Sequence, residues 1–374
     1  MKKLAVILLI LALTASFLFS CSADTSATVL RYGTSEVTEN MYTYWIATYK
    51  TYFLNALGGT DTEKYLTSKI SVPDENGIDT EMTVAEYIDA RIAEIINSNC
   101  ISLYLFDAYK LELPKSVVSA VNTAINTEIE NAGGRKALNE ALAPIGLNVD
   151  TLREMYLADE RISYLYTYLY GDDTVGSTGA EPISTEQYNA FYEKNYVCVR
   201  HIYIRTADKN VLNSKGEPTY DKNGNVITEE LTAEEAAAKL ALCDDLMARL
   251  KNGEDFLALE EKYSEDAGRH TLKDGYIISR STALPDAFIS AAFDMKIGEL
   301  RRVDASYATH IMIRCALPEL GWNNSANSVL LGDFKEYVKS DVYAKKIAPM
   351  LEKIEYDHDL MAKHTVMNTP ITAY

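Results

Sequence analysis

FLALEEKYSEDAGRHTLKDGYIISRSTALPDAFISAAFDMKIGELRRVDASYATHIMIR, residues Phe256–Arg314, is the stretch on which the fold turns. Phe256, Leu257, Leu259, Glu260 and Tyr263 follow a helical period, and a polar turn ends the run. A second short helix is expected with Leu284, Phe288, Ala291 and Ala292 at spacings of three and four, stopping at Gly298. His310–Arg314 alternates as a strand. Val197–Arg205, VCVRHIYIR, is another strand candidate and also carries a histidine. Two strand histidines, His201 and His310, therefore bracket an acidic turn and an apolar helix.

Moving outward, Ser184 with Gln187 and Thr232 with Glu235 form capping boxes that open helices over Thr185–Asn195 and Ala233–Asn252. The polar segment between them, Thr206–Leu231, contains Asn223-Gly224, a hairpin signal between Thr219-Tyr220 and Val226-Ile227. Upstream, Gly171–Pro182 has the composition of a linker and marks a domain boundary. The region before it reads as helical. Met41, Tyr44, Trp45, Tyr49, Tyr52 and Phe53 form one stripe, and Thr83 with Glu86 caps a long helix reaching about Leu111. Helices are also expected over Lys115–Ala132 and, capped by Asp150, over Thr151–Tyr170, with a loop over Thr60–Thr80. After Pro318 and Gly321 a last helix is predicted from about Ser328 to Asp357, its stripe running Val329, Phe334, Val338, Val342, Tyr343, Ile347, with Pro349 as a kink.

The chain has 374 residues, 47% of them hydrophobic, and a formal net charge of −18. That charge makes nucleic acid an unsuitable partner, because nothing in the chain could replace the counterions of a duplex. The first residues, MKKLAVILLILALTASFLFSC, read as a targeting segment: a positive start at Lys2 and Lys3, then an apolar run too short for a good membrane span. Leu18-Phe19-Ser20-Cys21 resembles a bacterial lipobox, which implies a signal peptide over 1–20 and a lipid on Cys21. The alternative is an ordinary secretory signal with an incidental cysteine. Cys100, Cys198, Cys243 and Cys315 show no CxxC spacing, so neither a zinc knuckle nor a thioredoxin motif is present. In an exported chain they could pair, and Cys198 and Cys315 lie on the two histidine strands; small buried hydrophobes are the plainer reading.

The order of parts resembles the parvulin (PpiC) family of peptidyl-prolyl isomerases. The carrying residues are His201 in RHIYI, Tyr263-Ser264-Glu265-Asp266, Leu284 and Phe288 with Ala292-Phe293, Gly298-Glu299, and Tyr307-Ala308-Thr309-His310. They cover about residues 184–316. The layout of lipobox, helical region, insert and returning helix is similar to that of the PrsA-type foldase lipoproteins and of periplasmic SurA-type chaperones. The resemblance implies an α+β chain. A helical chaperone-like lobe would be formed by 21–182 and a returning segment 318–374, with an inserted parvulin-like domain over 183–317 built on a small antiparallel sheet.

By the same resemblance, Leu284 and Phe288 fill proline-pocket positions with Tyr307 beside them, Asp266 lies next to the twisting amide, and His201 and His310 are the central pair. No cofactor and no metal are implied; a His/His/Asp metal site has no helical HxxxH spacing behind it. Taken without the family, the histidines read as a buried structural pair, Asp266 as a turn residue, and Leu284 and Phe288 as core. The chain departs from the family at Leu272-Lys273-Asp274-Gly275-Tyr276, where Gly-Gly-Asp-Leu-Gly is common, and at Ala305 and Ala308.

Two readings follow. One is a lipid-anchored foldase on the outer face of the cytoplasmic membrane that isomerises X-Pro bonds in unfolded exported polypeptides. The other is a holdase that keeps the fold without the catalysis. Dimerisation stays open. A solute-binding lipoprotein is disfavoured, since the chain lacks a βαβ rhythm. The 26 tyrosines suit either a client surface or helix packing. In Thr206–Leu231, Lys209, Lys215 and Lys222 stand against Asp208, Glu217, Asp221, Glu229 and Glu230, so no cationic cluster awaits a phosphate. Phosphoserine-proline peptides are therefore expected to be turned over no faster than their unphosphorylated forms; a marked preference for phosphate in a peptide isomerisation assay contradicts this.

Overall fold

The structure is a computed structural model that describes residues 24–73, 79–172 and 177–371. The signal-peptide reading and Cys21 lie outside the described residues. The chain divides into two compact units, Met1–Pro182 with Tyr343–Tyr374, and Ile183–Val342. No helix among the described residues is long and apolar enough to cross a membrane.

In the first unit, strands β1 (Thr28–Tyr32) and β2 (Ser35–Thr38) form a hairpin, and the late strand Glu355–Tyr356 adds to β1 antiparallel. Helix α1 (Glu39–Ala56) follows, with the Thr38 hydroxyl accepting from the Met41 N–H. The expected loop over Thr60–Thr80 holds instead a short helix, Glu63–Leu66, and a hairpin of β3 (Lys69–Pro73) and β4 (Asp79–Thr83). The alternation in β3 is short, with Lys69 and Ser71 exposed and Ile70 and Val72 half-buried, and β4 shows none. The backbone ladder and an exposed Lys69–Glu81 pair at 2.7 Å supply their order.

Helix α2 (Val84–Ala108) opens on the Thr83–Glu86 capping box and buries Ile88, Ile92, Ile96 and Ile101. Helices α3 (Lys115–Asn131), α4 (Arg135–Leu142) and α5 (Val149–Tyr170) complete the set. α5 begins earlier than expected. Its cap is Asn148, whose side chain accepts from the N–H groups of Asp150 and Thr151; Asp150 lies inside the helix. Two tyrosine assignments are also resolved. Tyr52 is exposed, off the buried stripe of α1. The rings of Tyr164, Tyr166 and Tyr168 pack on Phe106, Tyr343 and Tyr109, and Tyr170 is buried, so this cluster works as packing.

The tail returns to this unit through polar contacts. Lys50, 2% exposed, donates to the Thr369 carbonyl at 2.8 Å and pairs with Asp61 at 2.7 Å. The Val366 N–H donates to Asp89, and His364 meets Glu39 at 2.7 Å. A buried ammonium is tolerated only with such partners.

The second unit is a sheet with helices on both faces. Helix α6 (Thr185–Asn195) leads into β5 (Val197–Arg205). The arm that follows pairs β6 (Asp208–Asn210) with β7 (Thr228–Glu230), and the Asn223-Gly224 turn closes a bridge between Tyr220 and Val226. Helices α7 (Ala233–Lys251) and α8 (Phe256–Tyr263) precede β8 (Tyr276–Ile278), α9 (Asp286–Asp294), β9 (Leu300–Asp304) and β10 (Ala308–Cys315). The sheet order is β8-β5-β10-β9, all antiparallel. α9 begins after Pro285, so Leu284 stands before the helix and not one turn above Phe288 within it; the helix also ends well short of Gly298.

Alternation along β5 sends Val197, Val199 and His201 to one face and Cys198, Ile202 and Ile204 to the other. The first face is covered by Phe288, Ile289, Ala291 and Ala292 of α9. Ile202, Ile204 and Ile311 pack on α7 and α8 through Leu246, Leu250, Phe256 and Leu259. Near the start of β5, Cys198 and Ile277 join Tyr192, Tyr196, Leu331, Phe334 and Val338. The last helix is not continuous from Ser328. A short turn, Ser328–Leu331, breaks at Gly332, where φ is 55°, and α10 (Phe334–Leu351) starts afresh. Val329 is consequently exposed, outside the stripe assigned to it.

Candidate functional site

The pairing of β5 with β10 places the site. His201 lies opposite Met312, and His310 lies opposite Tyr203. The histidines are thus diagonal neighbours two residues apart in register, on one face of the sheet, within reach of ring side chains. Their rings stack at 19° with centroids 5.2 Å apart, and Nδ1 meets Nδ1 at 3.0 Å. Both residues are 6% exposed.

Asp266 arrives from the turn after α8. The turn is anchored by the Glu265 N–H, which donates to the Tyr203 carbonyl, and by the Ser264 hydroxyl, which accepts from the Tyr203 N–H at 3.1 Å. Asp266 Oδ2 then lies 3.4 Å from His201 Nε2, at ion-pair distance but without hydrogen-bond alignment. Tyr276 donates its hydroxyl to the same oxygen at 2.5 Å, and the Gly268 N–H donates to Oδ1 at 3.0 Å. Burial alone would raise the Asp266 carboxyl, but His201, Tyr276 and the Gly268 N–H outweigh it and hold the group below the usual carboxylate range. Burial, reinforced by the Asp266 carboxylate it donates to, pushes the Tyr276 phenol up.

That carboxylate selects the tautomers. An Nδ1–Nδ1 contact needs one protonated and one bare nitrogen. With its proton on Nε2, where it faces the anion, a neutral His201 leaves Nδ1 bare to accept from His310 Nδ1. His310 Nε2 is then a lone pair, buried and without a protein partner. Burial, with the neighbouring His201 adding to it, pushes the His310 imidazole down to about 4. His310 is therefore neutral at pH 7.

Phe288 closes the apolar side, its ring edge-on to His201 at 5.2 Å and to His310 at 5.1 Å. Leu284 is partly buried on the same cluster. Tyr307, 41% exposed, stands perpendicular to His310 at 6.5 Å. The structure thus groups His201, His310, Asp266 and Phe288 tightly, with Tyr307 at the rim and Leu284 behind. Tyr276, Tyr203 and Ser264 also belong to the site and were not foreseen. Tyr276 sits edge-on to His201 at 4.8 Å. The register of β8 sets Tyr276 opposite Val199, on the His201 face. Among the described residues no group of three His, Cys, Asp or Glu side chains could hold a metal ion.

Residues 189–314 match the family described as the PPIC-type PPIASE domain, so the second unit carries a parvulin-type peptidyl-prolyl isomerase domain. No curated protein matches the chain. Among solved structures it is similar to PrsA from Bacillus subtilis, at 16% identity over 81% of this chain and 92% of that one, with a TM-score of 0.23. It is also similar to PrsA of Bacillus cereus, at 15% identity over 80% and 92% with a TM-score of 0.27. A third is foldase protein PrsA from Streptococcus pneumoniae, at 15% over 79% and 98% with a TM-score of 0.23.

The buried imidazole makes stability depend on pH. The ordinary value of a histidine is 6.5 and that of folded His310 about 4. Between them the unfolded chain binds more protons, so the His310 contribution is whole above pH 6.5 and is lost as pH falls towards 4. Urea midpoints measured from pH 7 to 4 should fall less steeply for His310→Gln than for the wild type. Parallel curves would show that His310 does not titrate in this way.

Proposed function

We propose that this chain is an extracytoplasmic, lipid-anchored foldase. Its second unit isomerises X-Pro bonds, and its helical unit holds the unfolded exported polypeptides that contain them. The observation that carries the reading is the contact of Phe288 with both rings of an Nδ1-linked histidine pair, beside a carboxylate fixed by Tyr276.

Rotation about a peptide bond must break amide resonance, against a barrier of about 18–20 kcal/mol. For X-Pro bonds the uncatalysed event takes tens to hundreds of seconds. No covalent intermediate is needed. As the amide twists, its carbonyl loses delocalisation and its nitrogen becomes more basic. A site speeds the step by favouring that twisted form over the planar one. Phe288 offers a face for the pyrrolidine ring and keeps water from the amide. His310, neutral and linked to His201 through Nδ1, adds no charge that would favour the planar dipole. Asp266, anchored at both oxygens, holds the pair in one tautomer and supplies a fixed negative potential beside the twisting bond. In this scheme the histidines are positioning residues, and proton transfer is not required.

The altered turn supports the same reading. Tyr276 ends the departing turn beside His201 and fixes Asp266 through its hydroxyl, which an apolar residue could not do. A holdase without catalysis is the competing account, and one assay separates the two. On the full chain, the rate of cis-to-trans conversion of a proline tetrapeptide should rise above background. A hydrogen bond to a charged group contributes about 1.5–3 kcal/mol. Asp266→Ala should therefore lower kcat/KM by roughly tenfold to a hundredfold, with Tyr276→Phe intermediate. No wild-type rate above background would leave only the holdase.

The anchor rests on Leu18–Cys21 and the apolar run before it. A cell expressing the protein should incorporate labelled fatty acid into it and keep it in the membrane fraction. Cys21→Ala should abolish the label. Labelling that survives this substitution argues against the anchor.

A further inference from the structure

The start of β5 and the end of β10 bring two thiols together on the sheet face opposite the histidines. Cys198 and Cys315 are directly opposed partners in the antiparallel register. Opposed residues of such a ladder have Cα atoms about 4.5–5.5 Å apart, within the range of about 4.4–6.8 Å that a disulfide spans. The two thiols differ in access. Cys198 is wholly buried, its S–H donating to the Asp274 carbonyl at 3.3 Å. Cys315 is partly exposed. Two guanidiniums flank the pair. Arg314 donates to the Cys198 carbonyl at 2.9 Å, and Arg200 is the β5 residue two beyond Cys198 on the same face.

We propose that Cys198 and Cys315 form a thiol–disulfide switch, with Cys315 as the attacking thiol and Cys198 as the resolving one, that reacts with disulfides from outside the chain.

The chemistry needs a thiolate that solvent can reach, beside a second thiol that cannot be reached first. The Cys315 thiol is drawn down, chiefly by the facing Cys198 side chain, with Arg200 adding to this against the cost of burial. Cys198 moves the opposite way, raised by the negative Cys315 and by burial. The other described cysteines offer nothing comparable. Cys100 and Cys243 are wholly buried, each without a cysteine partner, and burial pushes Cys100 up to about 11 and raises Cys243.

The steps balance with an external disulfide as oxidant. Cys315 thiolate attacks R–S–S–R′, forming a Cys315–S–S–R bond and releasing R′ thiolate. Capping removes the charge that had kept Cys198 protonated. Cys198 then gives up its proton to solvent and attacks Cys315 Sγ, and R thiolate leaves. Two thiols are oxidised and one disulfide is reduced to two thiols, each leaving thiolate taking up a proton. The new bond sits three residues, about 10 Å, from His201. It ties together the same strand pair that sets the distance between the imidazoles. Oxidation thus fixes the register of the site without touching its side chains. The inference does not depend on the proposed isomerisation.

The test uses the full chain, folded, with oxidised glutathione as the probe. Intact mass and an unreduced peptide map should show a Cys198–Cys315 bond and no lasting adduct, reversed by dithiothreitol. Cys198→Ser should instead accumulate a glutathione adduct on Cys315. Cys315→Ser should leave Cys198 unmodified until denaturant is added. The wild-type map decides the question even if a variant folds poorly. A map in which Cys198 and Cys315 both stay free, or in which Cys315 carries glutathione that Cys198 never displaces, overturns the switch.

Discussion

One backbone pairing holds the functional half of this molecule: β5 against β10, with His201 across from Met312. A slip of one residue would turn one of the two imidazoles to the far face of the sheet. The register is secured by burial on both sides. Val199 and Met312 face α9, while Ile202, Ile204 and Ile311 face α7 and α8. A slipped strand would expose one set and bury Arg200, whose guanidinium reaches Glu260 at 2.9 Å. The geometry of the site is thus paid for by the core and not by the site's own hydrogen bonds.

Within that frame the electrostatics are economical. One half-buried carboxylate, Asp266, orders its surroundings. It draws the Tyr276 hydroxyl, sets the proton of His201, and through the Nδ1 contact sets that of His310. The consequence is a bare Nε2 in an apolar enclosure and a histidine that stays neutral well below physiological pH. An arrangement of this kind suits a reaction whose transition state carries little net charge. It suits poorly one that needs a proton delivered.

Much of this could be seen in the chain before any coordinates. The capping boxes at Thr83, Ser184 and Thr232 are local devices, written within four residues, and each opens its helix where expected. The histidine strands were legible because His310–Arg314 alternates and Val197–Arg205 is rich in β-branched and aromatic residues. What escaped notice takes its structure from a neighbour. Tyr276–Ile278 is too short to show a period and is a strand only because β5 accepts it. The hairpin Lys69–Pro73 and Asp79–Thr83 has no buried stripe to betray it. Leu284 has helical spacing from Phe288, yet Pro285 starts the helix after it, and spacing alone cannot tell the two cases apart. Asn148 lost to Asp150 as a cap because both residue types cap helices; only the Thr151 hydroxyl, returning to the Asn148 N–H, decides between them.

The first unit holds its beginning with its end. β1 is flanked on one side by its own hairpin partner and on the other by Glu355–Tyr356, more than three hundred positions later. Closing so long a loop costs entropy that grows only with the logarithm of its length, and prior folding of the intervening Ile183–Val342 unit shortens the effective loop. A ribosome delivers residues in order, however. The hairpin must wait, one edge unpaired, until nearly the whole chain has been made. The inserted unit has all its strands long before then. Assembly is therefore expected to run from the middle outward, with Thr28–Tyr32 among the last early segments to find a partner.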